Sequence, residues 1–449
     1  MKVRFFRPRT ALVTALAVLL VGSLFGPAAA LAVAARPVSP FGMSGHLIGD
    51  YPRSQTDREL RLVSAGGASW LRLDVPWRFI EPKNGVYDSL PLRQLDYIVA
   101  GAAKRGVRIE AVIVEFPNWS NGNKGMWTPP NNDADFRSFM QFMAKRYAGR
   151  IDHWELGNEV NETEFWKVSR ANSATRYVKF LQYGYRGVKA GNPNAKVISA
   201  GLAGSDEHYL QELYNAGAKG YFDLLGVHAY THGQSPFAAV DPTEPGCSFT
   251  WLAKMKSTME KNGDPGKKIW ITETGWQTSN VDFHVSQKTQ AKYTYDAYKR
   301  LYQDFPYVET LFVYGVRDAG SSRYRSSDNY GLLKRNYSQK LAYTQYKRAN
   351  WAFFKTHTAL SVTSSSYSVT AGGTFVFSGV LTNAPGGRLH VQRRVGSRWV
   401  QVRSVATLRG AYSTKLRLTS RGTKQYRIYY AGSRARRAAA SRVLTIRVR

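Results

Sequence analysis

At 449 residues the chain is long enough for two or three domains with a sizeable core. Its 63 Lys and Arg against 31 Asp and Glu leave a formal net charge of +32, which favours polyanionic partners over basic ones. The single cysteine, Cys247, excludes an intramolecular disulfide and any Cys/His cluster of zinc spacing.

The first element is a leader. A short basic stretch, MKVRFFRPRT, precedes the apolar run ALVTALAVLLVGSLF (Ala11–Phe25) and the small-residue stretch GPAAALAVAARP. That order is the pattern of a secretory signal peptide spanning residues 1–34, with cleavage near Ala30 or Ala34. Gly26-Pro27 would interrupt an uncleaved membrane helix, so cleavage is the favoured reading and a secreted, wall-associated protein the expected location.

Eight short apolar runs follow in chain order. They are FGMSGHLIG, SWLRLDVPW, RIEAVIVEFPNW and IDHWELGNE, then KVISAGLAG, FDLLGVHAY, KIWITETGW and TLFVYGVRD. Rich in Val, Ile, Leu and aromatics, they read as buried parallel strands. Helical periodicity separates them: LPLRQLDYIVAGAAKRG puts Leu92, Leu95, Ile98, Val99 and Ala102 on one face, and ADFRSFMQFMAKRYAG does the same with Phe136, Phe139, Met140 and Met143. Gly106, Gly149 and Gly220 stand where helices would stop. Strand and helix alternate eight times over residues 38–353, the extent of an α/β (β/α)8 barrel. The competing open, doubly wound sheet would carry a GxGxxG turn after its first strand, which GMSGHLIG lacks.

Beyond Phe354 the helical period disappears. Short alternating runs, separated by AGG, APGG, VGS and AGS turns, predict a small all-β sandwich over residues 356–449. From Ala352 onward there are 18 Lys or Arg and no Asp or Glu, so this region supplies more than half of the excess charge.

In such a barrel, functional side chains sit at the C-terminal strand ends. Read in order, those ends offer His46; Arg72, Asp74 and Trp77; Glu115 and Trp119; Asn158 and Glu159; His228 and Tyr230; Glu273 and Trp276; and Tyr314, Arg317 and Asp318. The fifth strand offers no reactive group. Two carboxylates among Arg, Asn, His, Tyr and Trp suit glycoside hydrolysis, which needs one carboxyl to protonate the leaving oxygen and another to attack or to activate water.

HWELGNEVN and IWITETGW resemble the strand-four Asn-Glu and strand-seven Glu motifs of the retaining glycoside hydrolase barrel clan, which includes the family 5 and family 39 enzymes; LRLDVPW and GVHAY add to the likeness. The resemblance implies that Glu159 is the acid/base, Glu273 the nucleophile and Asn158 the partner of the sugar 2-hydroxyl. A retaining pair should stand about 5–5.5 Å apart, against roughly 6.5–9.5 Å in an inverting enzyme. Arg72 and Tyr230 are the expected partners of Glu273; Trp119, His228, Trp276 and Tyr314 complete the expected substrate-binding set. One departure stands out: clan members commonly carry Trp at the end of strand eight, where this chain has Tyr314.

Each residue also has a plainer reading. Glu155 would pair with a helix or line the barrel floor, Glu162 and Glu164 would be solvated, and His153 would be a core histidine. Glu115 suits a substrate contact or an ion pair equally. Trp119, Trp127 and Trp276 could be packed indoles, or platforms for a sugar face. Arg317 could favour an acidic sugar or join a salt bridge. The tail resembles the Ig-like appendages of secreted actinobacterial proteins, with RLHVQRRVGSRWVQVRSV and QYRIYYAGS as paired strands. Its charge suggests an anionic cell-wall polymer as a partner; the alternative is an ordinary solvated surface. The expectation is thus a secreted, monomeric, cofactor-free retaining β-glycosidase acting on a polysaccharide, with no metal. A silent wall-glycan binder and a polyanion or nucleic-acid binder are the alternatives.

Overall fold

The computed structural model describes residues 39–49, 52–239, 246–354, 360, 362–364, 367–381, 388–407, 411–431 and 439–449. The expected signal peptide lies outside the described residues. No helix among those described is long and apolar enough to cross a membrane.

The eight apolar runs form eight strands: β1 (Phe41–Gly45), β2 (Trp70–Pro76), β3 (Arg108–Val114), β4 (His153–Asn158), β5 (Lys196–Ala203), β6 (Leu224–His228), β7 (Lys268–Thr274) and β8 (Val308–Tyr314). Each pairs in parallel with the next, and β8 pairs with β1, so the sheet closes on itself as a (β/α)8 barrel. Closure leaves no edge, and the strands are buried along nearly their whole length, which is why they read as continuous apolar runs. The amphipathic stretches become the outer helices, among them Ser89–Lys104 and Asp133–Arg146. Asp88 and Asn132 cap them, each accepting from a backbone N–H two residues on. Gly106 and Gly149 lie just past these helices at positive φ. Gly220 does not end a helix: Glu207–Asn215 stops earlier, and Gly217 makes the first left-handed turn after it.

Inside the barrel the side chains stack in layers. The floor is apolar: Trp70, Ile198, Leu224, Trp270 and Phe312 fill it. His153 stacks on Trp270 at 4.9 Å and reaches Asp152 through Nδ1, the expected core histidine. Two residues up β2 and β4 the interior turns polar, with Arg72 and Glu155, and Glu110 opposite Arg72 on β3.

After the helix Leu341–Phe354 the chain becomes strand throughout. One sheet contains strands 388–395, 398–406, 422–430 and 444–448; the other contains 374–380 and 411–417 with a short third strand. Phe375 and Phe377 from the second sheet share a core with Leu389, Val391, Tyr426, Ile428 and Ile446 from the first. That common apolar layer makes the region a β-sandwich with its own core. RLHVQRRVGSRWVQVRSV folds as the antiparallel pair expected, turning at Gly396.

Candidate active site

The β4 end explains how two neighbouring residues reach one site. His153 and Glu155 follow the strand alternation into the barrel. Gly157 then adopts φ 97°, a conformation that strains any residue with a Cβ, and Glu159 itself sits at φ 44°. The alternation breaks, so Asn158 and Glu159 both face the mouth. The Glu159 amide is held by Gly201 O at 2.9 Å.

Arg72, 1% exposed, organises the polar layer. Its Nε and Nη2 donate to Glu155 at 2.7 and 3.3 Å, its Nη1 to Glu273 Oε1 at 2.6 Å, and its Nη2 also to Asn158 Oδ1 at 2.8 Å. Burial would lower the Arg72 pKa, but Glu155, Glu273 and Glu110 outweigh it and hold the guanidinium charged. Glu155 Oε1 also accepts from Gly201 N at 2.8 Å and Thr272 Oγ1 at 3.3 Å, so it is structural, as its position on the strand suggested. Glu110 was not singled out from sequence. It is fully buried, 3.6 Å from Arg72 Nε, and neither of its oxygens has a hydrogen-bond partner. Burial first, and then Glu155, push its carboxyl well above the usual range.

Glu273, on β7, receives a second hydrogen bond on its other oxygen, from Tyr230 OH at 2.8 Å. Burial and the Glu273 charge raise the Tyr230 phenol well above its usual pKa, so it remains a donor. Glu159 Oε1 meets His228 Nδ1 at 2.7 Å, and the same nitrogen is 3.7 Å from Glu273 Oε2. Burial would lower the His228 pKa; Glu273 and Glu159 reverse that and raise it. The ring packs over Gly201, where a Cβ would overlap it and the Thr272 hydroxyl. Strand five therefore contributes room rather than a reactive group.

One oxygen of Glu159, one nitrogen of His228 and one oxygen of Glu273 lie within 4.8 Å of one another. Among the described residues this is the grouping whose spacing a metal ion could also use, but Arg72 and Tyr230 already donate to Glu273, and His228 and Glu159 share a hydrogen bond. A cavity of about 630 Å3 opens beside Glu159. Tyr230, Trp276, Phe283 and Tyr330 give it aromatic walls, and Glu162 and Asp206 are carboxylates on its lining. Trp276 is locked in place by Nε1 donating to Thr231 Oγ1 at 2.9 Å and Gln234 O at 3.0 Å.

Thus Arg72, Asn158, Glu159, His228, Tyr230 and Glu273 come together, with Trp276 on the cavity wall. Tyr314 stands at the mouth, its ring 5.7 Å from Tyr330 and 5.6 Å from His46. His46 pairs with Asp74 at 2.6 Å, and Asp74 raises its imidazole to about 9, although 45% exposure of the ring lets solvent screen the pair. Trp119 is not brought to the cavity: it packs edge-on against Trp77 at 5.8 Å and donates to Glu81 O. Trp127 packs against Phe165. Glu115 pairs with Arg78 at 2.6 Å, Arg317 with Glu59 at 3.2 Å, and Asp318 with Lys340 at 2.7 Å, so these three are held in ion pairs. Tyr330 and Phe283 were missed because they lie on long loops after β8 and β7, where no strand period marks their direction.

No curated protein matches the chain. A family 39 glycoside hydrolase from the gut symbiont Bacteroides cellulosilyticus WH2 is similar in structure, with TM-score 0.60 and 19% identity over 86% of this chain and 79% of its own. A GH5_18 protein from Streptomyces cattleya, solved with Manβ1-4GlcNAc, gives TM-score 0.57 at 15% identity, covering 75% of this chain and 86% of its own. An exo-β-1,4-mannosidase from Opitutaceae bacterium strain TAV5 gives 0.52 at 14%, covering 72% and 61%. At such identities these likenesses speak to the fold. The cellulase profile, by contrast, matches residues 31–305 directly, more than half of the sequence, and the chain belongs to glycosyl hydrolase family 5.

Proposed function

We infer that this protein is a secreted, retaining β-glycoside hydrolase that acts on a polysaccharide by double displacement. In the first step a Glu273 oxygen bonds to the anomeric carbon as the glycosidic C–O bond breaks, and Glu159 gives its proton to the departing oxygen. In the second, Glu159 takes a proton from water, the water oxygen bonds to the same carbon, and Glu273 leaves. The observation that carries this reading is the approach of Glu159 and Glu273 oxygens to within 4.8 Å, near the spacing of retaining pairs and short of the gap an inverting enzyme needs for water.

The surroundings support the division of labour. Glu273 is held by Arg72 and Tyr230, both donors, which suits an ionised nucleophile. Glu159 has a single short contact, to His228, and borders the cavity, where a leaving group would depart. In this reading Asn158, whose Oδ1 accepts from Arg72, serves the sugar 2-hydroxyl. The aromatic walls suit a sugar chain and the appended sandwich suits retention on an anionic wall polymer; we take the working unit as the monomer.

An activated 2-deoxy-2-fluoro aryl β-glycoside tests the reading. Slow turnover should leave the sugar ester-linked to the peptide containing Glu273, found by mass spectrometry. A label on another residue, or a fully active enzyme that never becomes labelled, would refute the assignment.

A further inference from the structure

The sandwich carries a second feature that hydrolysis does not use. On strand 388–395, Leu389 and Val391 point into the core, so His390, Gln392 and Arg394 face out. Across the ladders these stand opposite Ser404, Gln401 and Trp399 on strand 398–406, and His390 and Gln392 stand opposite Tyr429 and Arg427 on strand 422–430. One face of the sheet therefore gathers an indole, a phenol, two guanidinia, amides and an imidazole.

The face is organised. The Arg427 guanidinium lies 4.4 Å from the Trp399 ring centroid and 5.4 Å from that of Tyr429, and its Nε donates to Gln392 Oε1 at 2.8 Å. Arg394 Nη1 donates to Gln425 Oε1 at 3.2 Å, and Gln401 Nε2 to Ser404 Oγ at 3.1 Å. A flat arginine held near two rings and beside amides matches the needs of a sugar acid: ring faces for the C–H surface, amides for hydroxyls and a guanidinium fork for the carboxylate. The charge points the same way, since residues 352–449 hold 18 Lys or Arg and no acid.

We propose that this face, centred on Trp399 and Arg427, is a binding site for an acidic polysaccharide, separate from the barrel mouth. Nucleic acid fits it less well, because sequence-independent single-strand binding stacks successive bases on successive aromatics, and here both rings already have the Arg427 guanidinium within cation–π distance. A glycan site tethered to a glycosidase also raises the local concentration of substrate. The site does not depend on the hydrolytic reading: a chain without turnover would still bind.

The test uses the full chain in affinity electrophoresis through polygalacturonate, with neutral hydroxyethylcellulose and duplex DNA as comparators. Trp399→Ala and Arg427→Gln should each weaken retention by polygalacturonate about tenfold or more. Arg427→Lys, which keeps the charge but loses the flat fork, should weaken it nearly as much. The double variant Arg417→Gln/Arg421→Gln removes two exposed charges elsewhere and should cost less than about twofold. Melting temperatures verify folding, and aryl glycoside hydrolysis should be unchanged throughout. Equal losses from the Arg417/Arg421 control, full retention by Arg427→Lys, or equally tight DNA binding lost in parallel would each overturn the proposal in favour of diffuse polyanion attraction.

Discussion

The barrel mouth and the sandwich face handle charge in opposite ways. At the mouth, Arg72 is buried and surrounded by Glu155, Glu273 and Glu110, so acids exceed bases in a protein that is basic overall. Arg72, Glu155 and Glu273 are pinned by short hydrogen bonds, and position is what the pairing achieves. On the sandwich, the described arginines are exposed or half-buried, and the sequence of that region holds no Asp or Glu to oppose them. Their field reaches outward and fades with salt. The net charge of +32 is therefore more the property of one region than of the whole chain: the glutamates gather at the barrel mouth, while the basic excess is concentrated in the sandwich.

The contrast can be broken first at its acidic pole. Glu273→Gln should lower kcat on the order of 10^4-fold or more while the melting curve stays close to the parent's; comparable turnover would detach Glu273 from the chemistry. Glu159→Ala should lose about 10^2- to 10^4-fold on substrates with poor leaving groups, lose far less on dinitrophenyl glycosides, and regain rate with azide as a glycosyl azide of retained configuration. Arg72→Met leaves Glu155 and Glu273 buried without their cation and should cost about 3–5 kcal/mol in denaturant unfolding; a shift no larger than that of a surface arginine would show the pairing to be dispensable. Tyr230→Phe removes one charge-assisted hydrogen bond to Glu273, and kcat/KM should fall roughly 10- to 100-fold.

The smallest effect is one of pH. The Glu110 carboxyl is raised in the fold, so the folded protein binds a proton that the unfolded chain releases above the ordinary carboxyl range. Stability supplied by that neutral carboxyl is present at low pH and declines as pH rises through this window. Glu110→Gln mimics the neutral form and should flatten the decline, so its melting temperature relative to the parent should increase between pH 5 and pH 8. A constant difference across that range would mean that Glu110 is already charged in the fold.

The sequence showed much of this site because its strands are buried on both faces and their ends are short. Apolar runs located all eight strands, and a carboxylate directly after an apolar run has few structural reasons to be there; Glu159 and Glu273 stood out for that reason. Alternation left Glu155 to pair with a helix or line the floor; it stands in the polar layer just above the apolar floor, bound to Arg72. Glu110 interrupts the apolar run RIEAVIV in the same manner, and its register opposite Arg72 explains it, but register is set by the closed sheet and not by either strand. Trp119 shows the limit at the other end: it follows a strand, yet the turn Asn118–Asn121 swings its indole sideways onto Trp77. Tyr330 and Phe283 depend on long loops, and Trp399 with Arg427 on cross-strand pairing within the sandwich; none of these leaves a local period to read.

The most direct measurement is the anomeric configuration of the first product, followed by proton NMR as a β-aryl glycoside or oligosaccharide is cleaved. Glu159 and Glu273 as acid/base and nucleophile require the β-anomer to appear first, with the α-anomer growing in only as the sugar mutarotates. An α-anomer formed first would mean a single displacement by water, and the pairing of these two glutamates around one anomeric carbon would be wrong.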